Sequence, residues 1–245
     1  MTITFDHMLE LIDGRSAVFR SALAGALDER VPGCPDWTGR DLLAHLGGVQ
    51  RSWAAIVTAG DPDTPPDWDA VPERAPTGDL LDWSERSTGA LLDALRAAGP
   101  DRPVWSWWGS TTAGRVARHQ VQEAGVHGWD AQDTVGRAGQ LQPDELAADG
   151  VGEFLEVCVP TAGGWRHDPV TVGVTVTDAP GEDWRVVLGP GGGRLEAGPA
   201  AGNAVLGGSA SDLVLALYGR RPVESLAVTG DQEVARRFVG WFDTE

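Results

Sequence analysis

Apolar residues recur at helical spacing through the first half of the chain. Phe5, Met8, Leu9, Ile12, Phe19, Leu23 and Leu27 follow one another at steps of three, four and seven, the stripe that a long amphipathic helix buries. Pro32, Gly33 and Pro35 then break the pattern. Thr38 is placed to cap a second helix whose stripe is Leu42, Leu46, Val49, Trp53 and Ile56. The stretch 61–76, rich in Pro and Asp, predicts a long surface loop. Thr77 is expected to cap a third helix with Leu80, Leu81, Ser84, Thr88, Leu91, Leu92 and Leu95 on its buried side, ended by Gly99 and Pro100. An aromatic loop over 104–109 leads into a fourth helix, from about Gly114 to Asp133, which carries Val116, Gln120, Glu123 and His127 on one face. Four helices in succession predict a bundle.

After Gly139 the period changes. A short helix is predicted over 143–157, and Val170–Val176 alternates with the period of two of a half-buried strand. Further strands are expected at 184–188, 194–197 and 203–206, separated by Gly-rich turns, with helices at 209–218 and 231–242. The expected fold is therefore α+β, with a helical bundle over 1–140 and a small α+β domain over 141–245. No internal repeat is present. The run Gly189-Pro190-Gly191-Gly192-Gly193 is not read as a phosphate loop, because no Lys-Ser/Thr pair follows and its neighbours have strand character.

Composition narrows the partners. The 245 residues carry 19 cations, all Arg, against 36 acidic residues, a net charge of −17. Such a surface repels nucleic acid, and no basic run or interleaved aromatic patch offsets that field. The absence of Lys together with abundant Ala, Gly, Pro and Asp reads as the codon bias of a GC-rich genome. Cys34 and Cys158 fit neither a disulfide framework nor a CxxC pattern. There is no basic segment followed by an apolar leader, and no uncharged apolar run of about 18 residues, so no membrane association and a cytoplasmic location are expected.

The candidate chemistry lies on the second and fourth helices. Glu123 and His127 are four residues apart and so share a helix face, and His45 falls on the apolar side of the second helix. A buried carboxylate is costly unless paired or bound to a cation. Two imidazoles and one carboxylate converging from packed helices would hold a divalent metal and leave coordination positions open. A histidine on an apolar face is also commonly a satisfied core residue, and His119, four residues before Glu123, is a rival ligand. Spacing gives His7 and His167 no partner. Cys34 reads either as a thiol activated near a helix start or as a small buried hydrophobe. Trp105, Trp107 and Trp108 either wall a substrate pocket or cap the core, and Arg220 and Arg221 either bind an anion or face a helix C-terminus.

Three segments resemble the mycothiol-dependent maleylpyruvate isomerase family, within the larger group of DinB-like metal-binding bundles. The run 34–48, containing Asp36-Trp37-Thr38 and His45, is similar to the family's opening signature. The segment 123–131 resembles its Glu-x-x-x-His element, and 212–220 resembles part of a C-terminal domain similar to sterol carrier proteins. Members often have His where this chain has Gln122. The resemblance implies a DinB-like four-helix bundle followed by a sterol-carrier-like domain, with His45, Glu123 and His127 as ligands of zinc or another divalent metal, and with Arg220 as a functional arginine. It further implies mycothiol, the low-molecular-weight thiol of actinobacteria, as cosubstrate and a small electrophile as substrate. The namesake reaction is a cis–trans isomerisation by thiolate addition to a double bond. The same apparatus serves a mycothiol S-transferase in detoxification or natural-product assembly, and a noncatalytic ligand carrier remains the reading from another class.

Overall fold

The computed structural model describes residues 3–141, 144–179 and 181–242. The chain is α+β and divides into two compact units, Met1–Gly139 and Gln140–Glu245.

Helix α1 (Phe5–Leu23) begins where the Thr4 side chain accepts a hydrogen bond from the His7 amide, and it buries Leu9, Ile12, Phe19 and Leu23. It stops four residues short of the end of the predicted stripe. Leu27 still packs on the core around Phe19, Leu42 and Leu43, but from a turn rather than a helix. The chain reverses there into a small ribbon, β1 (Arg30–Val31) against β2 (Cys34–Thr38), where a plain loop was expected. Pro35 is tolerated because a two-stranded ribbon leaves edge positions that need no N–H donor.

Thr38 caps α2 (Gly39–Ala59) as expected, and Asp41 completes a reciprocal box in which each side chain accepts from the other residue's amide. The bonds from Thr38 hold the Asp41 carboxyl below its ordinary value. A lowered folded value contributes stability above the unfolded pKa that is lost as pH falls through the folded one. A single 3-10 turn at Trp68–Ala70 lies in the long loop that follows. Helix α3 (Leu80–Ala98) is capped by Asp79 and not by Thr77. The Asp79 carboxylate accepts from the amides of Leu81 and Asp82, while the Thr77 hydroxyl donates to Glu73. The cap belongs to the residue directly before the first helical turn, since only that side chain reaches its free amides.

A second ribbon, β3 (Pro103–Val104) with β4 (Thr111–Thr112), presents the aromatic loop and delivers the chain into α4 (Ala113–Thr134), capped by Thr112. Helices α1 and α4 pack together, as do α2 and α3. A polar chain runs through the apolar interior and ties three of the helices. Gln50 donates to Ser16 at 3.0 Å, Thr88 donates to the Gln50 carbonyl at 2.8 Å, and Arg20 donates to Thr88 at 2.9 Å. Burial lowers the pKa of Arg20.

In the second unit, α5 (Asp144–Thr161) runs past the predicted end; Pro143, its expected start, lies outside the described residues. The strands β5 (Val170–Val176), β6 (Asp183–Gly189), β7 (Gly192–Glu196), β8 (Ala204–Gly208) and β9 (Ala227–Gly230) form one sheet in the order β7-β6-β5-β8-β9. Only β5 and β8 pair in parallel, and β9 had no sequence prediction. Helices α6 (Ala210–Leu217) and α7 (Gln232–Val239) complete it, α7 ending three residues before the predicted 242. In the Gly189–Gly193 run, Gly189 ends β6, Pro190 and Gly191 make the tight turn, and Gly192 and Gly193 begin β7, consistent with strand neighbours rather than a phosphate loop.

The packing of α2 on α3 rests on a missing side chain. A Cβ added at Gly47 would lie 2.2 Å from the ring of Trp83, which is fully buried and donates its indole N–H to the Glu73 carbonyl at 2.9 Å. Gly47→Ala is expected to destabilise the protein by about 1–3 kcal/mol through overpacking. Gly89→Ala, on α3 with nothing near the new methyl, is expected to stabilise by about 0.5–1 kcal/mol. Urea unfolding of the two variants checks the opposite signs.

Candidate metal centre

Helix α4 presents Glu123 and His127 one turn apart, and α2 supplies His45 from across the bundle. One ligand-type atom from each lies within 4.8 Å of the other two, a compactness that no other group of His, Cys, Asp and Glu reaches among the described residues. The rings of His45 and His127 meet edge to face with centroids 4.9 Å apart. His127 Nε2 is 3.6 Å from Glu123 Oε2.

The surroundings orient these groups. Asp130, fully buried, lies with Oδ2 3.0 Å from His127 Nδ1. A carboxylate there accepts a hydrogen bond from Nδ1–H and leaves the Nε2 lone pair directed toward Glu123, the arrangement that fixes the tautomer of metal-binding histidines. Trp37 of β2 packs on His45 with centroids 4.7 Å apart. Glu123 Oε2 is buried without a hydrogen-bond partner, a costly state for a carboxylate oxygen that a bound cation would relieve. The donor set, two imidazole nitrogens and one carboxylate, suits zinc and leaves positions open. His119, the rival ligand, approaches the other oxygen, with Nε2 3.6 Å from Glu123 Oε1, and stands outside the compact trio. Gln122, where family members often have His, is fully buried.

A cavity of about 480 Å³ opens onto His45, Glu123 and His119. Trp105 and Trp107 line it, as do Trp53 and Trp68. Trp108 packs behind, against Trp53 at 5.2 Å and His119 at 4.9 Å between centroids. Sequence reading did not assign Trp53, Trp68, Arg74 or Asp130 to the site. Asp130 carried a usable signal, three residues after His127 and hence on the same side of the helix. Trp68 and Arg74 carried none, because they sit in a loop whose path no periodicity encodes.

The remaining candidates have local roles. Cys34 is buried in the core around Phe19 and Leu42, as a small hydrophobe would be, and neither cysteine forms a disulfide. His7 pairs with Glu10 at 3.1 Å on the surface, and His167 packs against Trp165 in the second unit. There too, the amides of Arg220 and Arg221 both donate to the Leu215 carbonyl at the end of α6. The Arg220 guanidinium donates to the Tyr218 carbonyl at 2.7 Å, and the Arg221 guanidinium pairs with Asp212. No helix among the described residues is long and apolar enough to cross a membrane.

Comparison with known proteins places this geometry. The family model described as the mycothiol maleylpyruvate isomerase N-terminal domain matches residues 9–132, and the model described as the MDMPI C-terminal domain matches residues 145–237. Two crystal structures of mycothiol-dependent maleylpyruvate isomerase are similar over 94% of this chain and 96% of theirs. One is of a histidine-to-alanine mutant, at 16% identity and a TM-score of 0.65, and the other is at 17% identity and a TM-score of 0.62. No curated protein matches the sequence. At such identities the structures speak for a shared fold, and the two family models, which between them span both units, decide membership. The chain belongs to the mycothiol-dependent maleylpyruvate isomerase family.

Proposed function

We propose that this protein is a metal- and mycothiol-dependent enzyme that isomerises an electrophilic cis double bond to trans, in the manner of the maleylpyruvate isomerases it resembles. The observation that carries the reading is the trio of His45, Glu123 and His127, with one ligand-type atom of each within 4.8 Å of the others and with a buried carboxylate oxygen that has no hydrogen-bond partner among the described residues. These three residues hold a divalent ion, zinc by the nature of the donors. When bound, the ion supplies the Lewis acidity that keeps a small thiol deprotonated at neutral pH. The protein's own residues do the rest. Asp130 keeps His127 in the ligating tautomer, Trp105 and Trp107 shield the reacting centre from water, and Arg220 pairs with an anionic group of the substrate or of its mycothiol adduct.

The chemistry is redox-neutral. The thiolate sulfur adds to one carbon of the double bond, and the electron pair moves onto the conjugated carbonyl. Rotation follows about what is now a single bond. The pair then returns, the carbon–sulfur bond breaks, and the trans alkene and the thiolate leave. Retention of the adduct, or displacement of a leaving group, makes the same protein a thiol S-transferase, and identification of the product by mass spectrometry separates the two outcomes. A reducing cytoplasm is the fitting location, since the thiol must remain reduced and the two cysteines form no disulfide.

Purified protein is expected to carry about one zinc or similar ion per chain by elemental analysis. The His45→Ala/His127→Ala double variant should retain only traces; full occupancy in that variant would refute the site, whereas wild-type protein without stoichiometric metal would admit the noncatalytic carrier reading. Asp130→Asn should weaken metal affinity about 10–100-fold while the bundle stays folded.

Turnover is expected to require added mycothiol and to survive Cys34→Ser, because the nucleophile belongs to the cosubstrate. Isomerisation in thiol-free buffer would contradict this, and loss of turnover in Cys34→Ser with normal metal content would pass the role to the internal thiol.

Arg220→Ala should lower kcat/KM at least about tenfold on an anionic substrate, in line with the roughly 1.5–3 kcal/mol of a charge-assisted hydrogen bond. Arg221→Ala should act mainly on stability through the lost partner of Asp212. Unchanged kinetics in Arg220→Ala would leave Arg220 as the helix-end cation that its bond to the Tyr218 carbonyl already makes it.

A further inference from the structure

The cavity beside the trio has a chemical character that metal binding does not require. Trp53, Trp68, Trp105 and Trp107 line it from three separate chain segments: α2, the long loop before α3, and the loop between β3 and β4. Its volume of about 480 Å³ falls in the range of clefts that enclose ring-bearing ligands, roughly 300–1,000 Å³. The indoles are held in place by one another. Trp68 meets Trp105 edge to face with centroids 6.2 Å apart, and Trp53 is braced by Trp108.

Trp107 supplies an independent pointer. It is half exposed, the only large apolar side chain so exposed among the described residues, and it stands on the cavity wall. An indole that leaves so much apolar area in water is stabilised when a ligand covers it. Its neighbour Trp108 is largely buried and does not line the cavity, so the exposure is specific to the residue at the opening.

The charges lining the cavity are few and opposed. Arg74 is its only guanidinium, held by a contact over the Trp68 ring at 5.1 Å from the centroid and by donation to the Ser52 hydroxyl at 3.3 Å. Glu123 is its only carboxylate. A single fixed Arg offers a two-pronged partner to one carboxylate. A short aliphatic acid covers little of the indole faces and gains little from them. A flat ring gains there instead, since aromatic pairs contribute about 0.5–1.5 kcal/mol beyond the area they bury.

We infer that the electrophile of this protein carries a carboxylate that Arg74 pairs with in the cavity, and an aromatic or similarly flat conjugated body that lies between Trp105 and Trp107. This deepens the reading proposed above and shares its assumption that the cavity receives the electrophile. It departs from a short aliphatic acid as the preferred substrate.

Two saturated keto acids that cannot react test the recognition without calling on catalysis. They are 3-benzoylpropionate and 4-oxopentanoate, which share the carboxylate and ketone and differ by phenyl against methyl. Calorimetric titration of the metal-loaded protein is expected to show the phenyl compound binding at least about tenfold tighter. The gap should shrink to less than about threefold in Trp107→Ala, whose exposed side chain can be removed without disturbing the core, and in Trp105→Ala. Arg74→Ala should weaken both acids alike. Equal affinities in the wild type would overturn the inference, as would a preference that persists undiminished in both tryptophan variants. If the tryptophan substitutions weakened only the binding of S-methylated mycothiol, the indole walls would serve the sugar rings of the cosubstrate and the assignment would likewise fall.

The kinetic arm uses cis-benzoylacrylate against cis-acetylacrylate with mycothiol present, and the same order of preference is expected in kcat/KM. Absence of thiol-dependent turnover on both, with the binding preference intact, would defeat the isomerase reading and leave the ligand class standing.

Discussion

A carboxylate inside a helical bundle organises the first unit. Glu123 projects from α4 toward His119 and His127, and its Oε2 is buried with no hydrogen-bond partner among the described residues. An isolated buried charge is too costly to keep unless something compensates it. The neighbouring side chains are arranged as though for that compensation: His127 one turn along, His45 from α2, and His119 on the other carboxylate oxygen. Asp130 behind His127 and Trp37 behind His45 then restrict each ring to one orientation.

Holding that cluster open demands rigidity elsewhere. The Gln50 network fixes α1, α2 and α3 against sliding, because its buried polar groups meet their partners on the other helices only at one register. Gly47 lets α2 and α3 approach until the ring of Trp83 occupies the space of an absent side chain. The two short ribbons hold the loops at fixed exits from the bundle. One places Trp37 on His45, and the other carries Trp105 and Trp107 to the cavity wall. An aromatic wall over a polar floor lets a ligand be desolvated at one end and polarised at the other.

The helices were legible because burial imprints its period on the sequence. The stripes of α1 to α4, the Thr38 cap and the alternation of β5 all follow from local rules of spacing and hydrogen bonding. The errors fell where local rules are ambiguous. Thr77 and Asp79 are both competent caps, and which one serves depends on where the loop delivers the chain. Leu27 fits a helical stripe yet packs from a turn, since an apolar side chain reaches the core from either conformation. Strands of two residues, and the short edge strand β9, are too brief to show a period at all.

For the site, the sequence by itself determined that Glu123 and His127 share a helix face, that His45 lies on the buried side of another helix, and which family's motifs these residues resemble. The i, i+4 relation is a property of the helix, independent of the rest of the molecule. Only the tertiary structure decided that His45 meets that pair while His119 stays beside it, that Asp130 fixes the His127 ring, and that Trp68 and Arg74 turn a loop into a cavity wall. Those relations join segments far apart in the chain. They depend on how helices cross and where loops close, and neither leaves a periodic trace in the order of residues.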